Sequence, residues 1–580
     1  MGFKQVMGGN GPDSAVRYGQ VRMMARRSSL NSALLCLALV SAPFAAAFAL
    51  QPEASGIDRP LMSMRLRAND TDTKEIWKAN FKAIEENPGC CDEIWFSTGT
   101  GAPPLEWHRA RAEVLAEAVK DAKAAGIVPS LQFQATIGHG DSFGTAEMFA
   151  MKTWTGWTDW KGVEDRYCNC PRQGAFLEYL RDVSAIYAKL GFAALWIDDD
   201  LRIAHHRPAD SYGRRIGCFC DTCIAAFNAE TGGSWTRDVL AKAVAADDAV
   251  CARWRGFSVK SLVIVARAVA EVFASVSPGT MLALQHASGP ESDDQVGEVL
   301  KELHALTGRP VGCRPGGGSY YDDNPNAVVI KSINAAALRG RIGNPGYIKV
   351  WTPEIESWPR TYYSRSSQGV LAEGFAALMY GFNSVSFFVS NGAMESPSLF
   401  GRTMWKPLAE ASSVLRGYAR VVDGCEPVGF AMPVEKKIGV RNMAIPVVSG
   451  VGRRVGELTK EDIGKNANTL TSADVQKFRD ELDARAGGLP AVVKSPFMGL
   501  MQVHVDGNGA LRCVALMNLR IAGQGPVRIL LRGVPQKWKG VVWNEMRRAP
   551  VRLELERVGG ETYVTIPSVA AWNGGYISGE

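Results

Sequence analysis

The chain is short of almost everything that would make its function easy to guess. Its 580 residues carry 65 Lys and Arg against 59 Asp and Glu, a surplus too small to mark a nucleic-acid-binding surface unless clustered. No run beyond residue 49 reaches 18 apolar residues, so no membrane span is expected there. No internal repeat or low-complexity tract stands out. No Gly-x-Ser-x-Gly follows a strand pattern, which leaves Ser/His/Asp catalysis unsupported. The glycine run Gly316-Gly317-Gly318 has no Gly-Lys-Ser/Thr, so it reads as a loop rather than a phosphate cradle. With 46% hydrophobic and 21% charged residues, bulk disorder is excluded as well.

What is there begins with an address. Arg26 and Arg27 precede an apolar stretch from Ala33 to Ala49 that ends in small residues, the three parts of a secretory signal peptide. Residues 1–22 fit no part of such a signal, so Met23 or Met24 is a candidate start. Residues 1–49 hold five Lys and Arg and one Asp, so the mature chain carries a charge near +2. The expectation is an exported protein, periplasmic or secreted, and the paired arginines hint at export of a prefolded chain.

From residue 57 to 422 short apolar runs alternate with amphipathic stretches. The strand candidates are Leu61–Leu66, Glu93–Ser97, Val128–Phe133, Ala193–Ile197, Met281–Gln285, Val311–Arg314, Tyr347–Trp351 and Ser384–Phe388. Eight strands separated by helices predict an α/β fold, a (β/α)8 TIM barrel. An open doubly wound sheet gives the same alternation. The barrel is favoured because Arg65, Arg67, Asp198–Asp200, Glu354, Glu356 and Asn391 fall at strand C-terminal ends, where barrel enzymes keep their chemistry. Residues 423–497 are expected to form a small middle domain, and 498–580 a C-terminal antiparallel β-sandwich of short strands separated by turns.

Two groups of side chains carry chemistry. Cys168-Asn-Cys170 is followed by Cys218-Phe-Cys220-Asp-Thr-Cys223, a spacing that aims three thiolates at a tetrahedral ion, with Cys168 or Cys170 as a fourth ligand. A closed four-ligand shell makes such a zinc structural; disulfides are the competing reading in an exported protein. The second group is carboxylates. In Trp196-Ile197-Asp198-Asp199-Asp200, alternation turns Trp196, Asp198 and Asp200 toward the barrel axis, and crowding among three carboxylates raises the pKa a general acid needs. Glu354 and Glu356 share a face of the seventh strand, across the barrel from the fourth. Carboxylates facing one another over a cleft are the equipment of glycoside hydrolysis. His205 and His206 offer an alternative, a metal-dependent hydrolase built on Asp198–Asp200. Trp107, Trp351 and Trp358 are platform candidates for sugar rings, and Trp154, Trp157 and Trp160 serve either stacking or core packing. His139 lies in a loop after the third strand, as a rim or plain surface residue.

The stretch Cys170-Pro171, Trp196 to Asp200, then Cys218-Phe219-Cys220-Asp221-Thr222-Cys223 with Phe227 resembles glycoside hydrolase family 42, the zinc-containing β-galactosidases of clan A. Glu356-Ser357-Trp358-Pro359 and Gly381 to Phe388 look like that family's nucleophile strand and eighth strand. The resemblance implies zinc at Cys170, Cys218, Cys220 and Cys223, the nucleophile at Glu356 and the acid/base at Asp200. It leaves Asp198, Asp199, Glu354, Arg65, Trp351 and Trp358 to contact a carbohydrate substrate. Asp199 stands where the family has an Asn that touches the sugar 2-hydroxyl, and Asp200 stands where it has a longer Glu. The middle region, about 70 residues, is shorter than the family's flavodoxin-like trimerisation domain; a homo-oligomer stays open. The function expected is a retaining β-glycosidase, the other-class alternative a carbohydrate-binding barrel without catalysis.

Overall fold

The computed structural model describes residues 60–139, 152–203, 214–286, 293–317, 320, 322, 325–357, 365–390, 401–431, 442–448, 450–465 and 469–580. The segment expected to be a signal, His205, His206, Trp358 and Asn391 lie outside the described residues.

The barrel is present, and all eight expected strands are in it. In order they are β1 (Met62–Arg65), β2 (Glu93–Ser97), β3 (Val128–Phe133), β6 (Ala194–Ile197), β7 (Met281–His286), β8 (Val311–Pro315), a seventh strand in two pieces, β9 (Ile348–Trp351) and β10 (Glu354–Glu356), and β11 (Val385–Phe388). The intervening β4 (Gly156–Thr158) and β5 (Glu164–Asn169) form an antiparallel hairpin after β3. Every barrel pairing is parallel, and β11 returns to β1. The ring is continuous except at Thr352-Pro353, where proline has no N–H for the ladder. Below that break β9 pairs with β8, and above it β10 pairs with β11.

Parallel strands covered by helices on the outside read as apolar runs, which is why they were visible in the sequence. Their outward residues join one core with the helices, among them Leu195, Ile197, Ile355 and Phe387. The inward residues make a smaller plug of Trp95, Ala194, Trp196 and Ala283. Trp95 and Trp196 stack at 4.1 Å between ring centroids. Gly312 makes room for them: a Cβ there would lie 2.8 Å from the Trp196 ring and 3.0 Å from the Ala283 Cβ. The 29-residue helix Asp248–Val276 starts at Asp247, whose side chain accepts from the amides of Ala249 and Val250.

The middle region is not set apart from the C-terminal part. β12 (Glu426–Ala431) pairs antiparallel with β14 (Gly499–Val505), and β13 (Ala491–Val493) pairs antiparallel with β15 (Val527–Leu531). A boundary at 497/498 therefore cuts through two sheets rather than between domains. The helix Ser472–Arg485 packs Val475, Phe478 and Leu482 against Val492 and Leu530 of the smaller sheet. The larger sheet also closes on the barrel: Leu500, Cys513, Met517 and Tyr576 share the barrel's outer core, and Gln368 donates to the Trp572 carbonyl at 2.6 Å. Among the described residues no helix is long and apolar enough to cross a membrane.

Candidate active site

A cavity of about 1030 Å³ opens at the C-terminal ends of the barrel strands. Asp198, Asp199 and Asp200 line it from the end of β6, and Glu354 and Glu356 from β10. Arg65, Arg202, His139, Tyr320, Trp107 and Phe388 complete much of its wall.

The three aspartates behave differently because their partners differ. Asp198 accepts from the Gln285 amide at 3.2 Å. Burial, then the charges of Asp199 and Asp200, push its carboxyl up to about 8. Burial also works to raise Asp199, but Arg314 at 3.2 Å and Arg202 at 3.4 Å outweigh it and hold the group well below the usual range. Asp200 is buried too; His139 at 2.5 Å and Arg202 at 2.9 Å bring its carboxyl down. Three carboxylates converge closely enough to suggest a metal. Two guanidinium groups and an imidazole already supply the countercharge.

On the facing side, Glu354 is engaged on both oxygens. It takes a 2.7 Å bond from Arg314 on one, and longer ones from the Gly317 amide and Tyr320 hydroxyl on the other. Arg314, then Lys331, overcome its burial and keep it below the ordinary carboxylate range. Gly316 permits this approach, since a Cβ there would sit 2.5 Å from the His286 carbonyl. Glu356 is 9% exposed and lines the cavity. Its backbone carbonyl accepts from Arg365, which is itself fixed by Glu373 at 2.6 Å and Asp322 at 3.1 Å. A buried ion pair behind the strand thus holds the Glu356 backbone in place.

The thiols form a second, closed centre. Cys170, Cys218, Cys220 and Cys223 place their sulfurs within 4.8 Å of one another. Cys170 lies 3.4 Å from Cys220 and 3.5 Å from Cys223. A tetrahedral ion with metal–sulfur bonds of about 2.3 Å needs sulfurs roughly 3.8 Å apart, so the donor set fits a metal. Disulfide bonds are absent among the described cysteines. Cys220 caps the helix Asp221–Thr231, whose first turn carries Cys223 and favours thiolate charge. The Thr158 amide of the hairpin donates to Cys218. Cys168 is not in the set; its thiol points to the Gly138 carbonyl.

No protein-family model matches the chain, and no curated protein matches it. Solved structures do. A catalytic mutant of Gan42B, a GH42 β-galactosidase from G. stearothermophilus, aligns over 90% of this chain and 98% of its own, with a TM-score of 0.56 at 8% identity. The chain has the fold of that β-galactosidase. The β-galactosidase from Bacillus circulans sp. alkalophilus covers 90% of this chain and 99% of its own, with a TM-score of 0.52 at 10% identity. That from the psychrophilic Marinomonas ef1 covers 90% and 100%, with a TM-score of 0.51 at 9% identity.

The structure gathers Arg65, Asp198, Asp199, Asp200, Glu354 and Glu356 around one cavity. It does not bring Trp351 there. That indole is 1% exposed, packed in the outer core with the Arg339 guanidinium over its ring at 5.1 Å. Trp154 and Trp157 are also buried core residues, on and beside the β4–β5 hairpin rather than on a helix. Trp107, 39% exposed, is the tryptophan that does line the cavity. Arg314 was not read as a site residue, although an arginine closing the apolar run Val311-Gly312-Cys313 was a visible signal.

Proposed function

We propose that the protein is an exported glycoside hydrolase that cleaves a β-glycoside or oligosaccharide by double displacement. One observation carries the reading: carboxylates from β6 and from β10 line the same cavity at the C-terminal mouth of the barrel. Glu356 is the nucleophile, at the position that the family resemblance assigns to it, and Glu354 beside it is engaged by Arg314. Proton transfer to and from the glycosidic oxygen belongs to the opposite side, at Asp200. Asp198, held protonated near neutral pH, donates a hydrogen bond to a sugar hydroxyl, and Asp199 and Glu354 frame the sugar as acceptors. Trp107 offers an apolar ring face at the rim.

Cys170, Cys218, Cys220 and Cys223 would hold a zinc ion. With four thiolates the shell leaves no open position, so the ion staples the loop after β5 to the loop after β6. Metal analysis tests this: purified protein is expected to carry about one equivalent of zinc, and less than half an equivalent refutes it.

A panel of aryl β-glycosides, with the product anomer followed by NMR at early times, tests the function. A β-anomer released first supports double displacement, and an α-anomer overturns it. Binding of oligosaccharides with no turnover across the panel would leave a carbohydrate-binding barrel instead.

A further inference from the structure

We propose that Trp107 is the platform of a second sugar subsite, so that the substrate is a β-linked oligosaccharide rather than one sugar on a small aglycone. This rests on the glycosidase reading above and extends it along the cavity. The cavity runs on from the carboxylates over the loops after β1 and β2, where Asn69, Asp72, Gly99, Pro103, Pro104 and Trp107 line it. Its volume of about 1030 Å³ exceeds the roughly 300–1000 Å³ that encloses a drug-sized ligand. One hexose is smaller than such a ligand. A sugar held among the carboxylates therefore leaves the Trp107 end of the cavity for another ring.

Among the described residues Trp107 is the only Phe, Tyr or Trp that is exposed rather than buried or half-buried. It is also fixed in place. Its ring lies against Gly99, where φ is +79° and a Cβ would come 2.8 Å from the indole. The buried Arg111 guanidinium stands over the ring at 5.6 Å from its centroid, held by the Ser97 carbonyl and the Thr71 hydroxyl. His108 meets the indole edge to face at 5.1 Å. The same imidazole bonds to the Tyr179 hydroxyl at 2.8 Å, and that hydroxyl donates to the Pro103 carbonyl at 2.9 Å. With Arg111 on one face, the accessible area belongs to the side that lines the cavity. A ring immobilised beforehand loses little freedom on binding, so packing a pyranose C–H face on it goes largely into affinity. The half-exposed Asp72 carboxylate, 3.7 Å from Arg111, stands beside the platform as an acceptor for sugar hydroxyls.

The test uses the full chain and the sugar that the aryl glycoside panel selects, offered as its β-glycosyl fluoride and as β-linked oligosaccharides. The fluoride carries one sugar and no second ring to stack. Trp107→Ala is expected to lower kcat/KM for the best oligosaccharide by about tenfold more than for the fluoride. Trp107→Phe, which keeps a ring, is expected to recover most of that difference. Equal losses on both substrates, or none, overturn the subsite. Should Trp107→Ala fail to fold, the indole N–H signal of Trp107 in NMR spectra of Glu356→Ala protein decides. A shift with oligosaccharide but not with the single sugar supports the platform, and no shift with either overturns it. A wild-type protein that turns over no glycoside removes the glycosidase reading, and the same NMR comparison with the panel's oligosaccharides then decides the platform by itself. An active wild type with an indifferent Trp107→Ala removes the platform alone.

Discussion

The two ends of the barrel both bury carboxylates, under opposite conditions. At the N-terminal end Glu93 opens β2, 6% exposed, and accepts at 2.5 Å from the hydroxyls of Ser63 and Ser130. Burial dominates there and the hydroxyls offset it only partly, so the carboxyl is pushed up. At the C-terminal end Asp200 and Glu354 are as inaccessible and Asp199 is half-buried, but they face Arg314, Arg202 and His139, and all three are pulled down. Depth in the barrel therefore does not set a carboxyl's charge; the partner does. One end is satisfied with neutral hydrogen bonds. The other holds charge in a low-dielectric wall, at a cost in stability, which is what a site that must stabilise developing charge requires.

The largest effect expected on this contrast is on activity. Glu356→Ala should abolish turnover of an activated aryl glycoside while the thermal melting curve stays close to that of the parent, and azide should restore part of the rate. Retained activity would move the nucleophile to Glu354. Next comes Arg314→Met, which takes from Asp199 and Glu354 their nearest cation. Removing one partner of a buried pair costs about 3–5 kcal/mol, read by urea denaturation; a loss no larger than that of a surface substitution would break the contrast. Between the two ends, Gly312→Ala should cost about 1–3 kcal/mol by overpacking Trp196 and Ala283.

The smallest effect is at Glu93. Glu93→Gln should change stability by under about 1 kcal/mol at neutral pH, since its partners are the uncharged hydroxyls of Ser63 and Ser130 rather than cations. Its pH signature has a definite sign. With a folded value raised above the ordinary 4.5, Glu93 contributes stability that is fully present below that pH and lost as pH climbs through the raised value, a slope the Gln variant lacks. Asp200, depressed, does the reverse: its contribution is present above the ordinary 3.8 and lost as pH falls through the folded value.

The barrel strands were legible because a parallel strand buried on both faces is an apolar run, and eight of them leave little ambiguity. The charged ends were legible for a related reason, since Asp198–Asp200 and Glu354 interrupt such runs. Trp351 was misplaced, though the signal to correct it was present. Counting alternation back from Glu354 turns Thr352 and Val350 inward and Trp351 outward, where Arg339 covers it. The Trp154–Trp160 spacing fits a helix, and the β-bulged hairpin that carries it has no comparable period. The His139–Asp200 contact joins residues 61 apart, and no local pattern announces a pairing made by loop geometry. The middle region was read as separate because its composition shifts, whereas strand pairing across 426–505 is a long-range property.

In a closed barrel, a one-residue change in any strand is passed to its neighbours around the whole ring, because tilt and stagger are shared. The interruption at Thr352-Pro353 is a seam in that ring. Thr352 still donates to the Cys313 carbonyl on one side, and Ser386 reaches the Pro353 carbonyl on the other. The segment bearing Glu354 and Glu356 thus takes its strand pairing from β11. Its length and reach can change without re-registering the rest of the ring, so the Glu354–Glu356 side of the cavity is the part of this barrel least bound by the shared stagger.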